Sequence, residues 1–406
     1  MNKKQVGAWA LFDFANSVYP AVITTTVFSI YYVGTVVGNE GTGAGTWWWN
    51  LAVAVSALIV AVTSPLLGAV ADRGGARKKF MLVYTAICLI GVLSMTTLGP
   101  GMVIAGFVIF IVANVGFESA VVFYNAYLPD IAPREKQGWV SGLGFGVGYL
   151  GSAIGLIIVS FFAAERIELV WPFVAGFFLV FSIPAFLYLP RDQARGMTVP
   201  QAALWGVSNF RQILREVWQL KDLRNFLIAF FFYIDGVLTI IVNAGNVATE
   251  TFDFTPTQAL YLFLVVQFAA LAGAFALAKP TDTLGPKKVL NGVLLLWIFA
   301  SVSAFFIQNQ ILFWAMAVVV GLGLGAVQSA SRAFMSSLIP EGKEAEMFGF
   351  YALCGKSSSV IGPLLFGGAT FLFQGNQRPS FLVIALLFII GMVLLQRVND
   401  PRAAVA

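Results

Sequence analysis

GAVADRGGARKK, residues 68–79, is a charged, glycine-rich segment between two long apolar stretches. A related segment, AKPTDTLGPKK, occupies residues 278–288 between two later apolar stretches. The equivalent positions are Asp72 and Asp282, Gly75 and Gly285, and Arg77–Lys78 and Lys287–Lys288. Asp72 and Asp282 are 210 residues apart, and Pro129 and Pro340 are 211 residues apart. A steady offset of this kind is typical of a duplicated helical unit, an architecture that transporters favour.

The composition is that of a membrane protein. Hydrophobic residues make up 59% of the 406 residues, charged residues only 11%, and the mean hydropathy is +0.85. A soluble chain of this length needs a far more charged surface. Apolar runs of about 20 residues, enough to cross a bilayer core about 30 Å thick, recur without strand-type alternation. Twelve runs predict membrane-spanning helices: roughly 9–37, 47–71, 80–98, 101–125, 138–163, 170–189, 225–248, 257–279, 289–307, 311–334, 345–373 and 380–397.

The longest loop divides these runs six and six. We therefore predict an all-α membrane protein with twelve transmembrane helices in two pseudo-symmetric six-helix bundles, residues 1–190 and 225–406. Residues 191–224 are predicted to form a cytoplasmic linker. Within it, four apolar residues share one helical face, which favours an interfacial amphipathic helix over a regulatory docking site: Phe210, Ile213, Leu214 and Val217.

The distribution of basic residues predicts the topology. Most Lys and Arg residues fall in loops or helix ends on one side, and this bias places both termini in the cytoplasm. The net charge of +5 therefore reflects topology and not a nucleic-acid partner, and we expect the chain in the cell (inner) membrane. Cys88 and Cys354 fall inside predicted spans, and the chain has no histidine, so we expect no disulfide framework, no metal and no cofactor. No HExxH or G-x-S-x-G pattern occurs, and we predict that the protein is not an enzyme.

Ionisable residues inside the predicted spans follow a period of three. The third, sixth, ninth and twelfth spans carry none, whereas the first, fourth, seventh and tenth carry Asp13, Glu118, Asp235 and Arg332. A charge that faces lipid costs at least about 3 kcal/mol, so the charged helices should line a cavity and the others should face lipid. Alternatively, each carboxylate is a structural lock between helices. The predicted substrate-binding or proton-coupling residues are Asp13, Asn16, Glu118, Asn125, Asp235, Asn243, Gln328, Arg332 and Lys356.

The segment Gly68–Lys78 resembles the major facilitator superfamily signature, G-x3-D-[RK]-x-G-x-[RK]-[RK], at every required position. The second copy is degraded, because Ala278 replaces the glycine and Thr283 the arginine. The resemblance implies that Asp72 meets a neighbouring helix terminus in the outward-open state and that the basic residues hold a cytoplasmic gate. Alternatively, the basic residues only anchor the topology. The predicted gate residues are Gly68, Asp72, Arg73, Gly75, Arg77, Lys78, Asp282 and Gly285.

A narrower resemblance extends over nearly the whole chain. Four segments look like the unknown-major-facilitator branch, which is similar to the autophagy-related vacuolar amino-acid effluxers of fungi: residues 9–20, 123–152, 230–237 and 331–368. We predict a secondary active transporter that moves a small polar solute by alternating access. The resemblance agrees with an amino acid as the solute, and the carboxylates inside the spans suggest proton coupling. The alternatives are an uncoupled facilitator and a non-transporting membrane sensor or assembly protein. We expect a monomer in the lipid bilayer, with a small-molecule substrate and protons as partners.

Overall fold

The computed structural model describes residues 1–38, 43–163, 165–192, 196–358 and 361–400. All regular structure in these ranges is helical. The α-helices are α1 (Lys3–Asn16), α2 (Val27–Tyr31), α3 (Ala44–Gly74), α4 (Arg77–Ser94), α5 (Val103–Asn125), α6 (Leu128–Ile131), α7 (Gln137–Ser160), α8 (Val170–Tyr188), α9 (Val199–Ser208), α10 (Phe210–Gln219), α11 (Lys221–Asn246), α12 (Pro256–Thr283), α13 (Pro286–Phe306), α14 (Gln310–Leu338), α15 (Glu344–Ser358), α16 (Ile361–Leu372) and α17 (Arg378–Leu395).

Wider π-helical turns extend two of the membrane helices. Segments Pro20–Thr26 and Tyr32–Gly38 continue the first span beyond α1, and Val247–Thr251 continues α11. Pro20 has no backbone N–H to give to the preceding turn, so a regular α-helix cannot continue through it unchanged. The first span is therefore one helical path from Lys3 to Gly38 with altered winding after Asn16.

Among the described residues, eleven helices are long and apolar enough to cross a membrane. They correspond to the predicted spans one to ten and twelve. The predicted eleventh span, residues 345–373, is covered by α15 and α16, and residues 359–360 between them lie outside the described residues. The all-α membrane fold is confirmed, and the twelve-span arrangement is consistent with it.

The four spans predicted to face lipid present exposed apolar side chains. On α8, α13 and α17 the exposed residues recur at three- and four-residue spacing, which makes one continuous stripe on each helix. The stripe on α13 consists of Leu295, Phe299, Val302 and Phe306, and that on α17 of Leu382, Leu386, Ile389 and Val393. An apolar stripe open to the surroundings fits contact with lipid tails.

The contacts divide the chain into two compact units. Unit 1 consists of residues 1–131, 147–210 and 341–349, and unit 2 of residues 132–146, 211–340 and 350–406. Helix α7 therefore contributes its first turns to unit 2 and the remainder to unit 1, whereas α15 does the reverse. The two-bundle division at the linker stays a prediction.

Small residues bring α7 against the first span within unit 1. A Cβ atom at Gly151 would collide with the backbone carbonyl of Phe14, and one at Gly148 would lie 2.7 Å from the Ser17 hydroxyl. Gly155 meets Val18 in the same way. The glycines of α7 therefore serve close helix packing, as expected for small residues in membrane helices.

The linker contains two helices, and the apolar residues of the second differ in burial. In α10, Ile213 and Val217 are buried, whereas Leu214 is exposed. Ile213 and Val217 are one turn apart, and Leu214, rotated by about 100° from Ile213, lies at the edge of the apolar face. Leu214 lies on the side of Arg211, Arg215 and Trp218. The interfacial amphipathic helix stays a prediction.

Candidate gate and membrane-embedded polar residues

Asp72 binds the N-terminal turn of α15 within unit 1. Its carboxylate accepts hydrogen bonds from the backbone N–H groups of Ala345, at 3.1 Å, and Glu346, at 2.8 Å. The first N–H groups of a helix have no partner inside the helix and carry a partial positive charge, so a carboxylate is a favourable partner. The structure therefore places Asp72 at a helix terminus, and its role in a gate stays a prediction.

Glycines allow this close approach. A Cβ atom at Gly68 would meet the carbonyl group of Ala345, and one at Gly349 would lie 2.5 Å from the carbonyl oxygen of Ser64. Gly75 ends α3 with a φ of 58°, a left-handed conformation that glycine adopts without strain. The chain can then reverse directly into α4.

Arg77 and Lys78 hold the start of α4 to acidic and carbonyl groups. The Arg77 guanidinium lies 2.6 Å from Asp130 Oδ2, 3.3 Å from Asp192 Oδ1 and 3.6 Å from Glu344 Oε2. The Lys78 backbone N–H donates to Asp192 at 2.7 Å, and its ammonium group donates to the Leu189 carbonyl at 2.5 Å. The two basic residues therefore make specific contacts in addition to any topological role.

Arg73 lies between a carboxylate and an aromatic ring. Its Nη1 donates to Glu346 Oε2 at 2.8 Å, and its guanidinium carbon is 3.7 Å from the ring centroid of Trp205 on α9. The Glu346 side chain is fully buried, and that of Arg73 is 18% exposed. Stacking on the ring restricts the guanidinium to a plane that suits the ion pair. Trp205 is therefore a positioning residue for the Arg73–Glu346 pair.

We expect Trp205→Leu and Glu346→Gln to be energetically coupled. Each variant should lower the melting temperature of the purified protein, and the double variant should lose about 0.5–1 kcal/mol less than the sum of the single losses. Trp205→Phe should restore part of the stability, because it keeps an aromatic face.

Leu204→Ala is the matched control, since Leu204 lies on the same helix and is 73% exposed. It should show no coupling to Glu346→Gln. Additive losses for Trp205→Leu and Glu346→Gln would show that Trp205 packs without orienting Arg73.

The second copy of the motif makes an equivalent contact within unit 2. Asp282 accepts hydrogen bonds from the backbone N–H groups of Gly138, at 2.7 Å, and Trp139, at 2.8 Å, at the start of α7. The glycine missing at Ala278 is present on the opposite helix, where Gly142 packs against Ala278. The lost glycine is thus compensated by one on its partner.

The two copies differ in charge. Thr283 stands at the position of Arg73, and Trp139 at that of Glu346, so the second copy cannot form this ion pair. Gly285 has a φ of 90° and precedes α13, where Lys287 donates to the carbonyl groups of Gln396, at 3.0 Å, and Val398, at 2.8 Å. The ion pair of Arg73 with Glu346 is therefore specific to the first copy.

The hydrogen bonds also correct the repeat register for α7 and α15. The N–H groups that bind Asp282 follow Pro133 by the same number of residues as those that bind Asp72 follow Pro340. Pro133, and not Pro129, is thus the counterpart of Pro340. Sequence reasoning did not identify which helix starts bind the two aspartates, although a signal was present in the paired segments PREKQGW and PEGKEAE, residues 133–139 and 340–346.

In unit 1, Asp13 and Asn16 are 7% and 5% exposed. Asn16 Nδ2 donates to Asp13 Oδ1 at a long 3.5 Å. Glu118 and Asn125 are half-buried on α5, whereas Asn114 donates to the Ser56 hydroxyl of α3 at 2.8 Å. The unit thus brings Asp13 and Asn16 together, and Asn114 serves as a contact between helices.

In unit 2, Asp235 is buried on α11 and is 1% exposed. Its Oδ1 accepts the Gly362 N–H at 2.9 Å, and its Oδ2 has no hydrogen-bond partner in the described part of the chain. The buried hydroxyl of Thr239, one turn later, also has none there. A Cβ atom at Gly362 would collide with Thr239 Oγ1 and lie 2.6 Å from Asp235 Oδ1, so glycine is needed for this contact. Asn243 donates to the Thr239 carbonyl at 2.8 Å, which places all three polar residues on one face.

Arg332 of α14 is buried against α7 within the same unit. Its Nε donates to the Ser141 hydroxyl at 3.0 Å, its Nη2 donates to the Ser141 carbonyl at 2.9 Å, and its guanidinium stacks 4.0 Å from the Phe145 ring centroid. Gln328, one turn earlier, and Lys356 on α15 are half-buried. Arg332 therefore has a structural contact with α7, whatever its part in transport.

Known proteins of similar fold and sequence are transporters. The human organic anion transporter MFSD10 has a TM-score of 0.78 at 15% identity, covering 98% of this chain and 100% of that one. The proton:xylose symporter XylE has a TM-score of 0.72 at 15% identity, covering 98% and 96%. At these identities the likeness establishes the major facilitator fold alone.

Sequence comparison establishes the family. The MFS-type transporter YxiO of Bacillus subtilis is 29% identical over 98% of this chain and 96% of its own length. Autophagy-related protein 22 of Coccidioides immitis is 26% identical over 86% of this chain and 71% of its own length. Residues 49–406 match the family described as vacuole effluxer Atg22 like. The chain is a multi-pass membrane transporter of the major facilitator superfamily and belongs to its Atg22-like family.

Proposed function

We propose that this protein is a proton-coupled secondary transporter that expels a small zwitterionic solute of the amino-acid class by alternating access. It acts in the cell membrane with both termini in the cytoplasm, as the distribution of basic residues favours. The family description, a vacuole effluxer, supports the outward direction. Membrane embedding and a small-molecule substrate follow from the family itself.

The two carboxylate contacts with helix starts support the alternating-access mechanism. Asp72 and Asp282 each bind two backbone N–H groups, and all of these groups can bond to water when the contacts break. The net free energy of such an exchange is only about 0.5–3 kcal/mol per hydrogen bond, so the contacts can open and close reversibly. They therefore suit a gate better than a permanent fixture.

The environment of the buried Asp235 carboxylate is the main support for proton coupling. A buried carboxylate oxygen without a donor is costly in an apolar helix, and a bound proton removes that cost. Gly362 holds the other oxygen, so the side chain keeps its position in both protonation states. We assign Asp235 the main coupling role, with Asp13 as the equivalent acid of the first half.

The intramembrane charges favour a zwitterion as substrate. Both acidic and basic residues occur within the predicted spans, and a solute with both charges offers a partner to either kind of group. A neutral sugar needs hydrogen bonds but no such charges. This argument agrees with the resemblance to amino-acid effluxers.

The test begins with a thermal-shift screen of amino acids, sugars and peptides on the purified protein. A ligand at 100 times its dissociation constant stabilises the folded state by about 2.7 kcal/mol, enough to raise the melting temperature measurably. The stabilising ligand is then added to vesicles that contain the protein and carry a pH gradient.

We expect the solute to accumulate against its own gradient and the accumulation to vanish with a protonophore. Equilibration without accumulation would replace this proposal with an uncoupled facilitator. A ligand that binds without crossing the vesicle membrane would favour the sensor or assembly protein.

A further inference from the structure

Helix α10 presents an unusual mixture of side chains to its surroundings. Ile213 and Val217 are buried on one side. Four residues on another face recur at helical spacing, and all are exposed: Arg211, Leu214, Arg215 and Trp218. Leu214 is 42% exposed and Trp218 is 65% exposed. Because this helix lies outside the membrane spans, its exposed apolar side chains need an apolar environment other than the bilayer core.

The position of Trp218 identifies that environment. Leu220 alone separates α10 from α11, which begins a membrane span at Lys221. Arg224, in the first turn of α11, donates to the Trp218 carbonyl at 3.1 Å, and its guanidinium lies 5.4 Å from the Trp218 ring centroid. Trp218 is thus level with the polar first turn of a spanning helix. The polar first turn of a spanning helix is expected at the membrane–water interface, where tryptophan is enriched.

The two arginines give the face a chemical preference. Arg211 and Arg215 are one turn apart and border an open depression of about 480 Å³, together with Gln212, Glu216 and Gln219. Glu216 is the acidic residue that borders the depression, and one of its carboxylate oxygens accepts a hydrogen bond from Gln212 at 2.9 Å. Guanidinium groups bind phosphate oxygens in a bidentate manner and attract anionic membrane surfaces.

We propose that α10 lies in the membrane interface and that Arg211 and Arg215 bind the phosphate group of an anionic phospholipid, with Leu214 and Trp218 at the boundary between the headgroups and the acyl chains. The apolar side chains determine how deeply the helix lies in the membrane surface, and the arginines make it selective for negative headgroups. This surface is independent of the transported solute and of proton coupling.

The test uses the full-length protein in phosphatidylcholine vesicles that contain phosphatidylglycerol. Brominated acyl chains quench tryptophan, and the difference between wild type and Trp218→Phe isolates the signal of Trp218. We expect quenching by either brominated lipid and stronger quenching by brominated phosphatidylglycerol. The variant with both Arg211→Gln and Arg215→Gln should lose this preference, by roughly fivefold for each arginine.

The matched control carries Arg134→Gln and Lys136→Gln, two exposed basic residues of another loop. It should keep the preference for phosphatidylglycerol. Two results would overturn the proposal. An unquenched Trp218 would mean that protein covers this face, and a preference that survives the loss of both arginines would mean that they do not bind the lipid.

Discussion

Asp235→Asn is expected to abolish proton-driven accumulation while leaving the protein folded. The asparagine side-chain oxygen can still accept the Gly362 N–H, which Asp235 accepts at 2.9 Å, but an amide cannot take up and release a proton at ordinary pH. Without coupling free energy between proton and solute, the solute ratio across the vesicle membrane should fall to about one. The measurement is solute accumulation under a pH gradient, alongside solute exchange without a gradient.

Asp253→Asn is the matched control for this loss of a carboxylate. Asp253 is exposed beyond α11 and has a φ of 53°, a left-handed conformation that asparagine also tolerates. Accumulation should be unchanged in this variant. If Asp235→Asn still accumulates solute as wild type does, the coupling group is elsewhere, and Asp13→Asn becomes the next variant to measure.

Gly325→Leu is expected to prevent stable folding of unit 2. A Cβ atom at Gly325 of α14 would collide with the carbonyl oxygen of Ala270 on α12 and lie 2.9 Å from the backbone nitrogen of Ala274. Backbone atoms cannot move aside as a flexible side chain can, so the two helices must separate. We expect a loss of about 3 kcal/mol or more.

The melting temperature and the yield of monodisperse protein in detergent measure this effect. Gly292→Leu is the control. Gly292 is also inside a membrane helix, but among the described residues no atom beyond its own stretch of helix lies within 4 Å of an added Cβ. This variant should be neutral or slightly stabilising. Equal stability of the two variants would contradict the close crossing of α12 and α14.

Much of the candidate gate could be predicted from sequence because its pattern is local. Gly68, Asp72 and Gly75 lie within two turns of one another, and each residue type has a conformational or electrostatic reason to be there. Their partners could not be predicted in the same way. Ala345 and Glu346 are 273 and 274 residues away from Asp72, and they contribute backbone N–H groups that any residue except proline has.

The roles of individual polar residues depended even more on packing. The hydropathy pattern places Asp235 in a membrane helix, but only its contact with Gly362 distinguishes one carboxylate oxygen from the other. Trp205 and Leu204 are adjacent apolar residues of the linker, yet one stacks on Arg73 and the other is exposed. No local pattern separates them, because the difference arises from the surface against which α9 packs.

The sequence by itself determined that this chain spans a membrane in a repeated set of helices. Each span depends only on the apolar composition of about 20 consecutive residues and on the charges in the adjoining loops. The tertiary structure alone decided which helix starts Asp72 and Asp282 bind, which guanidinium stacks on Trp205, and which side of α10 is exposed. Those outcomes depend on backbone groups and helix rotations brought together over hundreds of residues, and side-chain identity along the chain does not encode them locally.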